Sequence, residues 1–356
     1  MIGVAIATSS PKLFKYDMCS KFNWAGSAKW SSREQSDLHE ARGRCEDQSM
    51  SSVHSPQLAQ VLHDAREAVS GQMSAFEESG LNWQEESITS QLLTNCYPSV
   101  RFATFTRTEE AATGSDWLWW WIDDEGEAFG MLVQAKRLHH PWRIDFNYDG
   151  GRQRHNLFET AEALNVPPMY TLYLGTAAFR EGVFCRVKPP RVCDYCDAAA
   201  VSIVPALLTD AGGGSQRDSM SFAIQNSSPL EWLPDSTKPV FTWDANFDLL
   251  DEDLKSWIVT PQHGARGIAR RVFDRVVRVR AGSLSHGQAE LATARGTREI
   301  FPTLPLDFGH FAEPYHHHIL RGLRTEAPDY VLDIVNGFAV ETPPHSGLAG
   351  IAVVRC

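Results

Sequence analysis

Residues 113–137 read TGSDWLWWWIDDEGEAFGMLVQAKR, and their pattern predicts a two-stranded hairpin. The first arm, Asp116 to Ile122, is dense in aromatic and branched side chains; the second, Ala128 to Lys136, alternates around a mostly apolar centre. Asp123-Asp124-Glu125-Gly126 between them supplies turn chemistry, with Gly126 able to take positive φ. Folding the arms about that turn sets Asp116 opposite a residue within one or two places of Gln134. Side chains alternate along a strand, so Gln134 and Lys136 share a face while Val133 and Ala135 take the other. A carboxylate, a carboxamide and an ammonium are thereby gathered beside the core, where polar groups without a use are costly to desolvate. Asp116, Gln134 and Lys136 are therefore candidate site residues.

Outward from the hairpin, apolar residues recur at helical spacing from Gln57 to Phe76, at Leu58, Val61, Leu62, Ala65, Val69 and Met73. A second helix is expected from about Glu85 to Asn95, carrying Ile88, Leu92 and Leu93 and ended by Pro98, with Arg101–Thr106 an extended lead-in to the hairpin. Beyond the hairpin, residues 137–155 are locally basic and aromatic. A helix from Arg152 to Leu164 follows, then a buried strand from Met169 to Leu174. Helix, hairpin, helix and strand in that order define an α/β layer on a mixed sheet.

Composition sets the outer limits. A chain of 356 residues, 43% hydrophobic and 22% charged, can bury a large core. No window approaches the ~18 consecutive apolar residues of a membrane span. The N-terminus has no basic leader, and seven scattered cysteines suit reduced thiols, so a cytoplasmic protein is expected. The net charge of −11 excludes a generally cationic surface but not a local basic groove. Residues 1–49 hold no sustained period and read as a flexible N-terminal extension, Met50 being a plausible alternative start. The core is placed at residues 50–206, and residues 207–356 are read as an α+β C-terminal region open to substrate or partner binding.

An acidic helix, an Asp opening a strand, Q-x-K ending the next strand, then a helix and a strand together resemble the PD-(D/E)XK restriction-endonuclease-like fold. The likeness is to the Mrr-like variant with Gln in place of the second acid. The wording ESITSQLL, SDWLWWW, VQAKRL, RQRHNLFETA and PMYTLYL is also similar to an uncharacterised bacterial family of that fold, over about residues 80–205. The resemblance implies a restriction-endonuclease-like core with a mixed central sheet flanked by helices, and a Mg²⁺- or Mn²⁺-dependent endonuclease acting on nucleic acid, DNA ahead of RNA, in bacterial defence. It places the helix ligand at Glu86. Glu85 is its neighbour and helical spacing alone does not separate the two; Glu110 is a third candidate.

On that reading Glu86, Asp116 and Gln134 hold the cation through hard oxygen ligands, and Lys136 orients the attacking water and stabilises phosphate charge. Gln153, at the start of the next helix, matches a polar position of the family. Arg137, Arg143 and Arg152 would offer backbone contacts beside the phosphate. On a later expected helix, Ala265 to Arg280, Arg271, Arg275 and Arg278 fall three or four apart and share a face suited to phosphates. Cys193 and Cys196 form a C-x-x-C with Cys185 nearby; a turn is the preferred reading and zinc the minority one. Adjacent His316, His317 and His318 point in different directions on a helix, which argues against a metal site. Tyr330–Val335 and Gly350–Val354 read as closing strands. Two other functions stay open: a non-catalytic nucleic-acid or protein binding module on the same fold, and an enzyme of another phosphate substrate. A homo-oligomer or a defence-system partner protein is also open.

Overall fold

The computed structural model describes residues 55–105, 116–140, 142–146, 148–180, 193–209, 223–238, 260–283 and 315–356. The expectation for residues 1–49 lies outside them. Helix α1 (Ser55–Glu78) buries Leu58, Leu62, Ala65, Val69 and Met73 on one stripe, at about 1.5–3 kcal/mol for each large side chain. Helix α2 (Glu85–Cys96) packs on α1 and buries Ile88, Leu92 and Leu93.

The hairpin forms in the expected register. Strand β2 (Asp116–Ile122) pairs antiparallel with β3 (Ala128–Arg137), and Asp116 stands opposite Gln134. Gly126 takes φ of 87° in the turn, and Asp123 Oδ1 accepts from the backbone N–H groups of Glu125 and Glu127. The four tryptophans Trp117, Trp119, Trp120 and Trp121 are all buried. Gly130 faces Trp120 across the ladder; a Cβ there would sit 2.7 Å from the indole, so glycine is what lets the ring lie over β3.

Helix α3 (Arg152–Ala163) crosses back to β4 (Pro168–Tyr173), which is parallel to β3, as a helical crossover requires. The short helix α4 (Asp194–Ala198) leads to β5 (Val201–Pro205), antiparallel to β4, and β6 (Ser228–Pro229) pairs beyond it. Strand β1 (Val100–Thr104) lies at the far edge.

The C-terminal half does not form a separate region. Strand β8 (Leu348–Arg355) inserts between β1 and β2, antiparallel to the first and parallel to the second. A division at residue 206 would remove a central strand, so the expected boundary is corrected: the described strands on both sides of it share one sheet, ordered β1-β8-β2-β3-β4-β5-β6. Helix α5 (Gly264–Ser283) packs against β2, β3 and β5 through Ala265, Ile268, Ala269, Val272, Phe273 and Val276. Helix α6 (Tyr315–Leu320) contacts α5, and β7 (Leu323–Arg324) extends the edge of β3.

Residues 329–335 are also corrected. They form helix α7 (Asp329–Val335), burying Val331, Ile334 and Val335. The β-branched residues suggested a strand, but their three- and four-residue spacing is helical. The result is an α/β fold with an open mixed sheet flanked by helices. Among the described residues, no helix is long and apolar enough to cross a membrane.

Candidate active site

Strand β3 runs past the beginning of β2, so Ala135, Lys136 and Arg137 project beyond the paired hairpin toward the ends of β4 and α2. Asp116 opens β2 between Gln134 on β3 and Leu348 on β8. A bulge follows at once, since Trp117 pairs with Gly350 and skips Ala349. Gln134 and Lys136 share a face of β3 and both are buried, at 3% and 6% exposure.

A buried ammonium needs partners. Lys136 Nζ donates to Gln153 Oε1 at 2.7 Å, and Gln153 sits in the first turn of α3. The backbone reaches that turn through Asp149, Gly150 and Gly151, all at positive φ. The C-terminal ends of β3 and β4 also meet α2. Glu85 Oε1 accepts from the Arg137 backbone N–H at 2.7 Å. Burial pushes the Glu85 carboxyl above its ordinary pKa, while the positive charge of Lys136 and the Arg137 hydrogen bond pull it back. Glu85 and Lys136 are thus in each other's field at one strand end.

Glu85, rather than Glu86, reaches the strand end. Glu86 is exposed, whereas Glu85 is half-buried against β3. Of the two neighbouring candidates, the described contacts bring Glu85 to the strand end, on the α2 face that carries buried Ile88, Thr89 and Leu92. Glu110 and the side chain of Asp116 lie outside the described residues.

Three residues that the sequence reading passed over complete the surroundings. The Arg137 guanidinium lies over the Trp83 ring, 5.3 Å from its centroid, and donates to the Trp83 carbonyl. Trp83 meets Tyr173 edge-on at 6.3 Å. Tyr173, in register with Arg137, bonds through its hydroxyl to Thr89 at 2.8 Å. The signal available in the sequence was Thr89, a polar residue one turn beyond Glu85 on an otherwise apolar helix face.

The basic rim is divided. Arg143 pairs with Asp145 at 3.1 Å and Arg152 with Asp149 at 3.2 Å, both on the surface. His139 is held below the usual imidazole range by burial and then by the charges of Arg137 and Arg143.

The arginine helix is not the exposed phosphate face expected. Arg266 pairs with Glu127 at 2.5 Å, Arg270 with Asp274 at 2.7 Å, and Arg271 donates to the carbonyls of Asp235 and Lys238. Arg275 is half-buried, and the Arg278 side chain lies outside the described residues. The physical reason is packing: α5 lays its apolar face on the sheet, while Arg266 and Arg271 meet an acid and carbonyls of other segments and Arg270 meets Asp274 one turn along the same helix.

Cys193 caps α4, its sulfur accepting from the Cys196 N–H at 3.4 Å; Cys185 lies outside the described residues. His318 is buried in α6, while His310 and the side chains of His316 and His317 are not described. Among the described residues, no group of three or more His, Cys, Asp and Glu side chains could hold a metal ion. What the strand end offers is the Glu85 carboxylate and the Gln134 amide beside the Asp116 backbone. That set of hard oxygen donors suits Mg²⁺ or Mn²⁺ better than a softer metal.

Fold and site together define an open mixed α/β sheet with a lysine–glutamine–glutamate cluster at the carboxyl ends of two parallel strands. The chain belongs to a family of unknown function, DUF6615, whose model matches residues 58–343. No curated protein and no solved structure matches it.

Proposed function

We propose that the protein is a metal-dependent nuclease that hydrolyses phosphodiester bonds of nucleic acid, DNA ahead of RNA, on a restriction-endonuclease-like sheet. One observation carries the reading. Lys136 is buried on β3, bonded to Gln153 at 2.7 Å and electrostatically coupled to Glu85, while two residues earlier Gln134 pairs with Asp116. A structural lysine at a strand end would extend into solvent and would need neither the amide nor the carboxylate.

Glu85, Asp116 and Gln134 would hold Mg²⁺ or Mn²⁺, which supplies Lewis-acid activation of the phosphodiester. The chain's own groups do the remainder. Gln153 fixes the Lys136 ammonium, so its charge faces the phosphate without reorganisation as negative charge develops. The Arg137 N–H holds Glu85 in place, and Arg143 and Arg152 at the rim suit the neighbouring backbone phosphates.

The test is cleavage of supercoiled, linear and single-stranded DNA and of RNA, side by side, with Mg²⁺, Mn²⁺ or chelator. Wild type is expected to cut at least one substrate only with metal, and Asp116→Ala to lose both cleavage and calorimetric Mn²⁺ binding. Binding without cleavage under every condition would favour a non-catalytic module instead.

A further inference from the structure

We infer that Tyr173 and Thr89 form a positioning relay that fixes Glu85 for a divalent cation. This rests on the nuclease reading above and adds two residues to it. The Thr89 hydroxyl lies 2.9 Å from the Glu85 carbonyl oxygen and 2.8 Å from the Tyr173 hydroxyl. Thr89 has one proton, and the Glu85 carbonyl can only accept, so the direction is set: Tyr173 donates to Thr89 and Thr89 donates to Glu85. Tyr173 is wholly buried, and burial holds its phenol above the usual range, so it remains a donor at any working pH.

The same strand position grips Glu85 a second time. Tyr173 on β4 is the register partner of Arg137 on β3, and the Arg137 N–H takes Glu85 Oε1 at 2.7 Å. The relay fixes the backbone at residue 85 and the amide fixes one carboxylate oxygen, which leaves Oε2 to serve a cation. Trp83 stiffens the arrangement, its ring edge-on to Tyr173 and beneath the Arg137 guanidinium. A metal ligand must be held to within about 0.5 Å to bind well, and loss of outer hydrogen bonds typically costs about 10–100-fold in affinity. A phenol that merely satisfied its own hydroxyl in the core would influence stability and nothing else.

The experiment uses the full chain with Tyr173→Phe, Thr89→Val and Thr89→Ser. Leu62→Ala in α1 serves as a destabilised control remote from Glu85. Three quantities are read: Mn²⁺ affinity from the electron paramagnetic resonance of free Mn²⁺, the Mn²⁺ concentration giving half-maximal DNA cleavage, and Tm. Tyr173→Phe and Thr89→Val should weaken Mn²⁺ binding by about tenfold and shift half-activation in parallel, with kcat at saturating Mn²⁺ within a few-fold of wild type. Thr89→Ser, which keeps the hydroxyl, should restore both. Leu62→Ala should lose Tm and keep its affinity. Unchanged affinity in folded Tyr173→Phe and Thr89→Val, or an equal loss in Leu62→Ala, overturns the relay while leaving the nuclease reading in place. If Tyr173→Phe fails to fold, the Thr89 pair decides alone. Wild type that neither binds Mn²⁺ nor cuts nucleic acid overturns the nuclease reading, and the relay with it.

Discussion

Lys136 at the end of β3, and Arg266, Arg270 and Arg271 along α5, look alike as sequence: cations on a regular element. The structure uses them differently. On α5 each cation meets a structural partner, Glu127, Asp274 or a pair of carbonyls, and the helix is pinned to the hairpin turn. Its N-terminus adds a further tie, the Ala265 N–H donating to Asp123. At the end of β3, Lys136 meets a neutral amide and shares a field with a carboxylate that one backbone N–H holds by a single oxygen. Basic residues inform on function only after their partners are subtracted, and partners distant in sequence are what a one-dimensional reading lacks. Glu127 and Arg266 are separated by 139 positions.

Four changes test this contrast. Lys136→Ala should have the largest effect, lowering the cleavage rate by about 10²–10³-fold or more, as loss of a preorganised charge does, with a normal circular dichroism spectrum. Full activity in the folded variant would remove the catalytic half of the comparison. Asp274→Ala belongs to the other half. It removes a carboxylate held 2.7 Å from the buried Arg270 guanidinium and should cost about 3 kcal/mol in urea unfolding, with cleavage per folded molecule unchanged.

The third change probes the loop that presents Glu85. Burial raises the Glu77 carboxyl from 4.5 to about 7, against a hydrogen bond from Trp83 and the charge of Arg180. A raised pKa means the folded state binds the proton more tightly. This contribution is therefore present below pH 4.5 and lost as pH rises toward 7. Glu77→Gln should gain roughly 1–2 kcal/mol over wild type at pH 8, after allowance for partial exposure, and nothing at pH 4.5. A gain independent of pH would contradict the assignment. The smallest effect is in salt dependence: Arg143→Gln with Arg152→Gln should flatten the slope of log K for DNA by close to one unit per lost contact. Arg271→Gln with Arg275→Gln should leave that slope unchanged.

Much of the frame was legible because it is local. The tryptophan run, the Asp-Asp-Glu-Gly turn and the Gln134–Lys136 alternation are encoded within 25 residues, and the Asp116–Gln134 pairing follows from them. Helices α1, α2 and α3 followed from apolar spacing, with ends within two residues of expectation. Strand β8 was recognisable as a strand, but its place between β1 and β2 was not, because pairing across some 230 positions leaves no local mark. Glu85 and Glu86 were indistinguishable by spacing, since either can follow one stripe of a helix. The Arg137 N–H that selects Glu85 lies 52 residues away. Tyr173 and Thr89 are separated by 84 positions, and only the packing of α2 on the sheet brings their hydroxyls together.

We propose that the carboxylate at residue 85, joined by Asp116, Gln134 and Lys136, forms a metal-dependent phosphodiesterase site. The most direct measurement is Mg²⁺-dependent DNA cleavage by Glu85→Gln and Glu86→Gln, compared with wild type at matched folded concentration. Wild type and Glu86→Gln should cut at similar rates and Glu85→Gln should not cut detectably. Undiminished cleavage by Glu85→Gln, or loss confined to Glu86→Gln, would contradict it.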